Sequence, residues 1–250
     1  MLLLLSPAKK LDYDTPVRTT LQSQPLFVEQ ATELIAVLRN KSAGEIAQLM
    51  KLSDALAELN VSRYAEWEPT FDTQTARQAF LAFNGDVYEG LRAPELSDAD
   101  LKWAQDHVVM LSGLYGALRP LDLMRPYRLE MGTRLATERG ANLYAFWGSR
   151  IAEYLNERGD DVVVNLASDE YFKAVDLKTL RARVIQCVFQ ERKGDAWKVI
   201  SFYAKRARGL MARHVIDQRI DDAEGLKTFA EEGYAYAADA STPERLVFRR

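Results

Sequence analysis

Cysteine, histidine and long apolar runs are scarce in this 250-residue chain, and each scarcity excludes a class of site. The single cysteine, Cys187, excludes an internal disulfide and fits a reducing compartment. Only His107 and His214 accompany it, so the sequence predicts no metal centre built from Cys and His. Neither G-x-G-x-x-G nor a P-loop occurs, and we therefore expect no nucleotide cofactor.

The chain also lacks a membrane span and an excess of positive charge. Its first apolar run, Met1 to Leu5, stops at Ser6-Pro7 and predicts a buried strand rather than a signal or anchor segment. The formal net charge is -3, so a surface that binds nucleic acid would have to be local. We expect a cytoplasmic protein with no membrane partner.

Apolar periodicity predicts a central mixed sheet surrounded by helices. Strands are predicted at 1–5, 108–111 and 162–168, with hairpins pairing 184–190 with 197–202 and 234–237 with 246–248. Helices are predicted at 26–38, 45–50, 54–67, 71–83, 97–107 and 143–155, and from 203 onward, with a turn at 86–91. No repeat or linker divides the chain, which predicts one compact α/β (mixed α+β) domain over residues 1–250, with a monomer favoured.

The segment 42–67 has the apolar spacing of a helix-hairpin-helix element. Such an element binds phosphates through backbone N–H groups at the start of its second helix. Lys51 and Ser53 occupy the positions where glycines are usual, and both are candidate contacts to nucleic acid. An ordinary packed helical pair explains the same spacing, because helical hairpins are common.

The segment Leu111–Gly132, LSGLYGALRPLDLMRPYRLEMG, combines stiff backbone with polar side chains. Its glycines and prolines oppose a regular helix and predict a rigid loop. Loops on rigid scaffolds concentrate function, which favours recognition of an anion or a planar ring here. The alternative is a core loop with solvated arginines. The candidate residues are Tyr115, Arg119, Tyr127, Arg128 and Glu130.

Polar residues follow two of the predicted buried strands. Open α/β sheets usually hold ligands at the carboxyl ends of their strands. Glu170 is a candidate general acid or base, although an N-cap serine followed by two acidic residues explains the same sequence without chemistry. The residues at these strand ends are Ser6, Lys9, Asn165, Ser168, Glu170 and Tyr171.

One segment, 198–213, carries cations and no acid. An acid-free run favours a nucleic-acid contact over a merely solvated helix face, and the cations cannot all share one face of the helix. Its candidate residues are Lys205, Arg206, Arg208 and Arg213.

Four blocks together resemble the peroxide stress protein YaaA family, and the resemblance spans essentially the whole chain. They are SPAK at 6–9, the segment 111–132, NLASDEYF at 165–172 and YAKRARGLMAR at 203–213. The resemblance implies a cytoplasmic protein that limits damage from peroxide and iron. It also implies DNA binding, to duplex or distorted DNA, in a positively charged cleft assisted by the helix-hairpin-helix. That cleft would collect Lys9, Arg119, Arg128, Lys205, Arg206 and Arg208, and no catalytic residue is transferred.

Two functions from different classes therefore follow. The first is a DNA-binding protective protein in which cations meet phosphates while Tyr115, Tyr127 or Tyr171 stacks on a base. The second is an enzyme that acts on a damaged or modified base or nucleoside, with Glu170 or Glu130 as acid or base. Direct iron binding fits poorly, because the sequence has no Glu-x-x-His pair.

Overall fold

A computed structural model describes residues 1–250 and places an eight-stranded sheet at the centre of the protein. Five strands run parallel in the order β12-β9-β8-β1-β5, while β6, β10 and β11 pair antiparallel at the margins. The strands of this sheet are β1 (Leu2–Leu5), β5 (Val108–Ser112), β6 (Gly116–Leu118), β8 (Val162–Asn165), β9 (Arg183–Lys193), β10 (Ala196–Lys198), β11 (Ala235–Tyr236) and β12 (Arg245–Arg249).

Two small antiparallel ribbons and ten α-helices surround the sheet. One ribbon pairs β2 (Lys10–Leu11) with β4 (Phe83–Asn84), and the other pairs β3 (Arg77–Gln78) with β7 (Leu123–Met124). The helices are α1 (Val28–Arg39), α2 (Ala43–Met50), α3 (Asp54–Glu66), α4 (Ala79–Ala82), α5 (Asp86–Leu91), α6 (Asp98–His107), α7 (Leu143–Trp147), α8 (Arg150–Glu157), α9 (Asp169–Phe172) and α10 (Ser201–Gln218). Short 3-10 turns lie at Ala93–Glu95, Gly225–Thr228, Glu231–Gly233 and Ala238–Ala240.

The predicted single mixed α/β fold is confirmed, and β1 lies at its centre. Every residue of β1 is fully buried, as expected for a parallel strand covered on both faces. β1 pairs with β5 on one side and β8 on the other, so their carboxyl ends reach one edge of the sheet. No helix of the protein is both long and apolar enough to cross a bilayer.

Two predicted elements are wrong. The predicted helix 71–83 is interrupted, because Asp72 accepts hydrogen bonds from the backbone N–H groups of Gln74 (3.0 Å) and Thr75 (2.9 Å) and holds a turn. Arg77 and Gln78 then pair with β7. The predicted turn 86–91 is the helix α5, whose formation depends on packing against α10.

The predicted helix 143–155 is also split in two. Gly148 has a φ of 52°, a left-handed value at which the helix ends, so α7 and α8 are separate helices. The capping boxes at Ser42 and Ser97 form as predicted and begin α2 and α6. These two starts are fixed locally, by side chains three residues apart.

The predicted helix-hairpin-helix segment forms a helical pair, α2 and α3, joined by Lys51–Ser53. Lys51 takes the left-handed conformation (φ 54°, ψ 53°) that glycine adopts more easily, and Ser53 makes no side-chain capping bond. The pair packs on itself and on α1. Its interpretation as a DNA-binding element is not confirmed.

Close contact between α5 and α10 depends on two glycines. A Cβ atom on Gly209 would lie 1.7 Å from the carbonyl oxygen of Val87, and one on Gly90 would lie 2.2 Å from that of Arg206. Both obstacles are backbone atoms, so a side chain cannot be accommodated by a rotamer change. The contact fixes the face of α10 that borders α5.

We expect Gly209→Ala to destabilise the protein by about 1–3 kcal/mol or more, because the two helices must separate. Gly44→Ala is the matched control, since a Cβ at Gly44 in α2 meets nothing within 4 Å. That control should leave stability unchanged or raise it by about 0.5–1 kcal/mol. Urea unfolding of both variants measures the difference, and equal stabilities would contradict the packing argument.

Candidate functional site

A cleft of about 320 Å³ opens at the carboxyl ends of β1 and β8. Four chain segments and one helix meet there: the exit of β1, the segment after β4, the central loop at Glu130, the start of α9, and α10. We call this site the cleft and define it by the residues that line it: Ser6, Pro7, Ala8, Lys9, Lys10, Asn84, Gly85, Asp86, Val87, Glu130, Ser168, Glu170, Tyr171, Lys205 and Arg208.

Hydrogen bonds hold the exits of β1 and β8 together at the cleft. The Ser168 backbone N–H donates to Ser6 Oγ at 2.8 Å, and Ser6 Oγ donates to Ser168 Oγ at 3.3 Å. The Tyr88 hydroxyl donates to the carbonyl oxygen of Ser6 at 3.0 Å. Asn165 is buried, and its Oδ1 accepts from the Ala167 N–H at 2.9 Å, which shapes the turn after β8. These bonds make the two strand exits one rigid wall.

A smaller niche continues the cleft toward the central loop. It shares Lys9, Glu130 and Tyr171 with the cleft and adds Tyr127 and Arg128. Glu130 Oε1 lies 3.0 Å from Arg128 Nη2 and 3.2 Å from Lys9 Nζ. One carboxylate therefore holds two cations at the junction of cleft and niche.

Glu170 is fixed from the opposite side of the cleft. Its Oε1 accepts a hydrogen bond from the Gly132 N–H at 2.8 Å, and the Tyr144 hydroxyl donates to its carbonyl oxygen at 2.9 Å. A Cβ on Gly132 would lie 2.9 Å from that carboxylate oxygen, so only glycine permits the approach without a shift. The carboxylate has a defined position although Glu170 is exposed.

Arg208 is the only arginine that lines the cleft, and it makes no hydrogen bond or ion pair, whereas Arg128 of the niche is paired with Glu130. Its side chain is half-buried, and burial lowers the pKa of the guanidinium, an effect that Asp169 and Cys187 partly offset. One turn earlier on α10, Lys205 Nζ lies 3.9 Å from Asp86 Oδ2 and remains half-exposed. A bound oxyanion would give this half-buried guanidinium the charged hydrogen-bond partner that the protein itself does not supply.

The charge of the cleft is mixed rather than uniformly positive. Four cationic residues line it, together with three carboxylates. The cations are Lys9, Lys10, Lys205 and Arg208, and the carboxylates are Asp86, Glu130 and Glu170. A ligand must therefore offer anionic groups to one part of the cleft and hydrogen-bond donors to another. No group of three or more His, Cys, Asp or Glu side chains in the protein is arranged to hold a metal ion.

The structure brings ten predicted site residues to the cleft and its niche. They are Ser6, Lys9, Tyr127, Arg128, Glu130, Ser168, Glu170, Tyr171, Lys205 and Arg208. Tyr127 and Tyr171 are nearly buried, and burial raises the pKa of both phenols above their ordinary value, so they stay neutral. Tyr127 uses its hydroxyl in a 2.6 Å hydrogen bond with Ser112 Oγ.

The other predicted residues lie outside the cleft. Lys51 and Ser53 are exposed at the joint of α2 and α3. Tyr115 is fully buried, where its hydroxyl accepts from Trp67 Nε1 at 2.9 Å, so it cannot stack on a base. Asn165 is buried behind the Ser6–Ser168 wall and does not line the cleft. Each of these positions is decided by packing.

Three of the predicted arginines form ion pairs with carboxylates outside the cleft. Arg119 Nη2 donates to the fully buried Asp122 at 2.8 Å. Arg206 Nη2 lies 2.6 Å from Glu232, and Arg213 Nε lies 2.9 Å from Asp217. Because each of these three arginines is paired with a carboxylate, none of them is a free cation that could bind a phosphate.

Sequence reasoning missed one wall of the cleft, formed by Asn84–Val87 opposite Lys10. Lys10 pairs with Asn84 across a two-residue ribbon, and a Cβ on Gly85 would lie 3.3 Å from Ala8 Cβ. In the sequence, Asp86 and Tyr88 of the predicted turn are possible ligand groups, but a capped turn with an exposed acid is the commoner outcome for such a segment. About 75 residues separate the two halves of this ribbon, so no local pattern could join them.

The chain is similar to known proteins over essentially its whole length. The sequence model of a family described as "Peroxide stress protein YaaA" matches residues 1–240. A UPF0246 protein of Bordetella avium is 68% identical over 254 residues, covering 100% of this chain and 99% of its own length. A UPF0246 protein of Bordetella pertussis is 67% identical with the same coverage, and one of Polaromonas naphthalenivorans is 61% identical, over 100% of this chain and 98% of its own.

Substitution of Arg119 and of Arg208 by glutamine distinguishes an arginine that stabilises the fold from one that is available to bind a ligand. Arg119→Gln strands the buried Asp122 carboxylate and should cost on the order of 3 kcal/mol in unfolding free energy. Arg208→Gln breaks no ion pair and should cost less than about 1 kcal/mol. Urea denaturation measures both, and a large loss in Arg208→Gln would show that Arg208 stabilises the fold.

Proposed function

The chain belongs to the peroxide stress protein YaaA family, which implies a role in peroxide stress, and from this premise we propose that it acts in the cytoplasm by binding DNA in the cleft. In this proposal the cleft accepts one or a few nucleotides of a distorted or unpaired strand. Contacts to phosphate oxygens supply most of the affinity.

The observation that carries this proposal is the unpaired guanidinium of Arg208. Phosphate diesters are permanent oxyanions, and a guanidinium binds them through two parallel hydrogen bonds. Lys10 and Lys205 line the same cleft and add positive charge, and Lys205 stays half-exposed although its Nζ lies 3.9 Å from Asp86 Oδ2. The phosphate therefore belongs at the α10 side of the cleft.

The carboxylates of the cleft suggest where a base would bind. Glu170 lines the cleft and would repel a phosphate, whereas a carboxylate accepts hydrogen bonds from exocyclic amino groups of bases. With a volume of about 320 Å³, the cleft suits a nucleotide unit and not a whole duplex. This arrangement favours a base turned toward Glu170 with its phosphate near Arg208.

An exposed aromatic side chain lies on the same helix. Phe202 is 54% exposed and precedes Lys205 by three residues, so the two share a face of α10. Aromatic side chains beside cations are the usual platform for unpaired bases. Phe202 replaces the buried Tyr115 as the candidate for stacking.

We expect the wild-type protein to bind a labelled oligonucleotide containing unpaired nucleotides, with affinity falling as salt rises. Arg208→Gln should weaken binding and reduce the log–log salt slope by about 1, because one phosphate contact is lost. Arg206→Gln is the matched control, since Arg206 is paired with Glu232 outside the cleft. Fluorescence anisotropy over a range of NaCl concentrations gives both quantities.

Two outcomes would contradict the proposal. One is an absence of salt-sensitive affinity at low ionic strength. The other is equal weakening by Arg206→Gln and Arg208→Gln, which would mean that the cleft is not where the strand binds.

The presence of two carboxylates, Glu130 and Glu170, in one cleft favours a second candidate, an enzyme that acts on a damaged or modified base or nucleoside. A carboxylate held by a backbone N–H, as Glu170 is, has the fixed position that general acid or base catalysis needs. The DNA-binding and enzymatic proposals share the cleft and differ in whether substrate is consumed.

Incubation of the protein with damaged or modified oligonucleotides, followed by chromatography, distinguishes them. A released base that disappears with Glu170→Gln would support the enzyme. Unchanged oligonucleotide in the presence of retained binding would exclude it for those substrates and leave the DNA-binding proposal in place.

A further inference from the structure

A second, larger groove lies apart from the cleft, next to the segment 11–22. It has a volume of about 860 Å³ and shares no lining residue with the cleft. Pro126 lines this groove, while the next two residues, Tyr127 and Arg128, line the niche. Five threonines contribute to its lining, and we call it the threonine groove: Thr15, Thr19, Thr20, Thr73 and Thr75.

Arg77 lines the threonine groove with half of its guanidinium unused. Its side chain is 6% exposed, and it donates through Nη1 alone, to the carbonyl oxygen of Asp12 at 2.6 Å and to Asp12 Oδ1 at 3.2 Å. The Nε atom is buried and has no hydrogen-bond partner. Nη2 also makes no hydrogen bond, and an oxyanion bound at Nη2 would give this guanidinium a second partner beside Asp12.

Arg63 adds a second cation to the same wall. It is half-buried and makes no hydrogen bond or ion pair. Burial lowers the pKa of its guanidinium, and Arg128 lowers it further. Arg63, Arg77 and Tyr13 all line the groove. Two guanidinium groups with unused donors thus line one groove.

Most of the remaining lining is polar and nearly neutral, beside the apolar residues Leu11, Pro16, Val17, Ala76 and Pro126. Gln22, Gln74 and Gln78 accompany the threonines, and Asp14 contributes one carboxylate. Asp14 limits the positive charge, so a small anion suits the groove better than a long polyanion. Hydroxyl and amide side chains suit a ligand that carries its own hydroxyl groups.

We propose that the threonine groove binds a small phosphate monoester that carries hydroxyl groups, of the sugar phosphate or mononucleotide class. The phosphate lies against Arg63 and Nη2 of Arg77. The hydroxyl groups of the ligand meet the threonines. This site is independent of DNA binding in the cleft.

Calorimetric titration of the full chain with ribose 5-phosphate, inorganic phosphate and ribose tests the proposal. We expect saturable binding of ribose 5-phosphate, weaker binding of inorganic phosphate and none of ribose. Arg63→Gln should weaken the binding of ribose 5-phosphate by roughly tenfold or more, because a charge-assisted contact is lost. Arg208→Gln, which alters only the cleft, should leave it unchanged.

Thermal unfolding without ligand separates a binding role of Arg63 from a structural one. Arg63→Gln breaks no ion pair, so its melting temperature should equal or exceed that of the wild type. A lower melting temperature, together with unchanged affinity for ribose 5-phosphate, would overturn the proposal. Failure of ribose 5-phosphate and phosphate to bind at millimolar concentration would also overturn it.

Competition distinguishes two sources of the phosphate monoester. An oligonucleotide with a 5′-phosphate that displaces ribose 5-phosphate, when its unphosphorylated form does not, would place a DNA end in the groove. Absence of displacement would assign the site to a free metabolite, and both results support a phosphate monoester site. DNA binding of Arg63→Gln, measured in parallel, shows whether the cleft is intact, so either proposal can fail alone.

Discussion

Parallel pairing of β1 with β5 and β8 is the constraint on which the rest of the molecule depends. Because β1 is buried on both faces, its carboxyl end is fixed beside that of β8, and Ser6 and Ser168 bond directly. The segments that follow these strands cannot move independently. A binding surface assembled on them has its polar groups placed before any ligand arrives, which lowers the entropic cost of binding.

Many arginines of the protein form ion pairs with neighbouring carboxylates, and this pairing helps to define which cations remain available for a ligand. Arg119 with Asp122 and Arg206 with Glu232 are examples in which the ion pair serves the fold. Among the arginines, Arg208 and Arg63 stand out because each is half-buried and makes neither an ion pair nor a hydrogen bond. A desolvated charge without a counter-ion costs stability, so its presence in a groove is an argument for an anionic ligand.

Where the sequence failed, tertiary contacts had overridden local preference. The segment 86–91 has turn-like composition, yet it is helical because Gly90 and Gly209 let α5 and α10 touch. The segment 71–83 has helical periodicity, yet Asp72 and the pairing of β3 with β7 interrupt it. The helical pair at 42–67 was predicted at the right place, because the capping box at Ser42 is a local feature. The apolar spacing of the pair does not decide whether it binds DNA.

The sequence alone determined the buried strands, the capped helix starts, the family and the ten residues that the structure gathers at the cleft and its niche. These follow from short-range chemistry: apolar runs, side chains three residues apart, and polar residues after strand ends. Only the tertiary structure decided which arginines are free, that Tyr115 is buried, and that Lys10 faces Asn84. Ion pairing and burial depend on residues far apart in the chain, which no local pattern encodes.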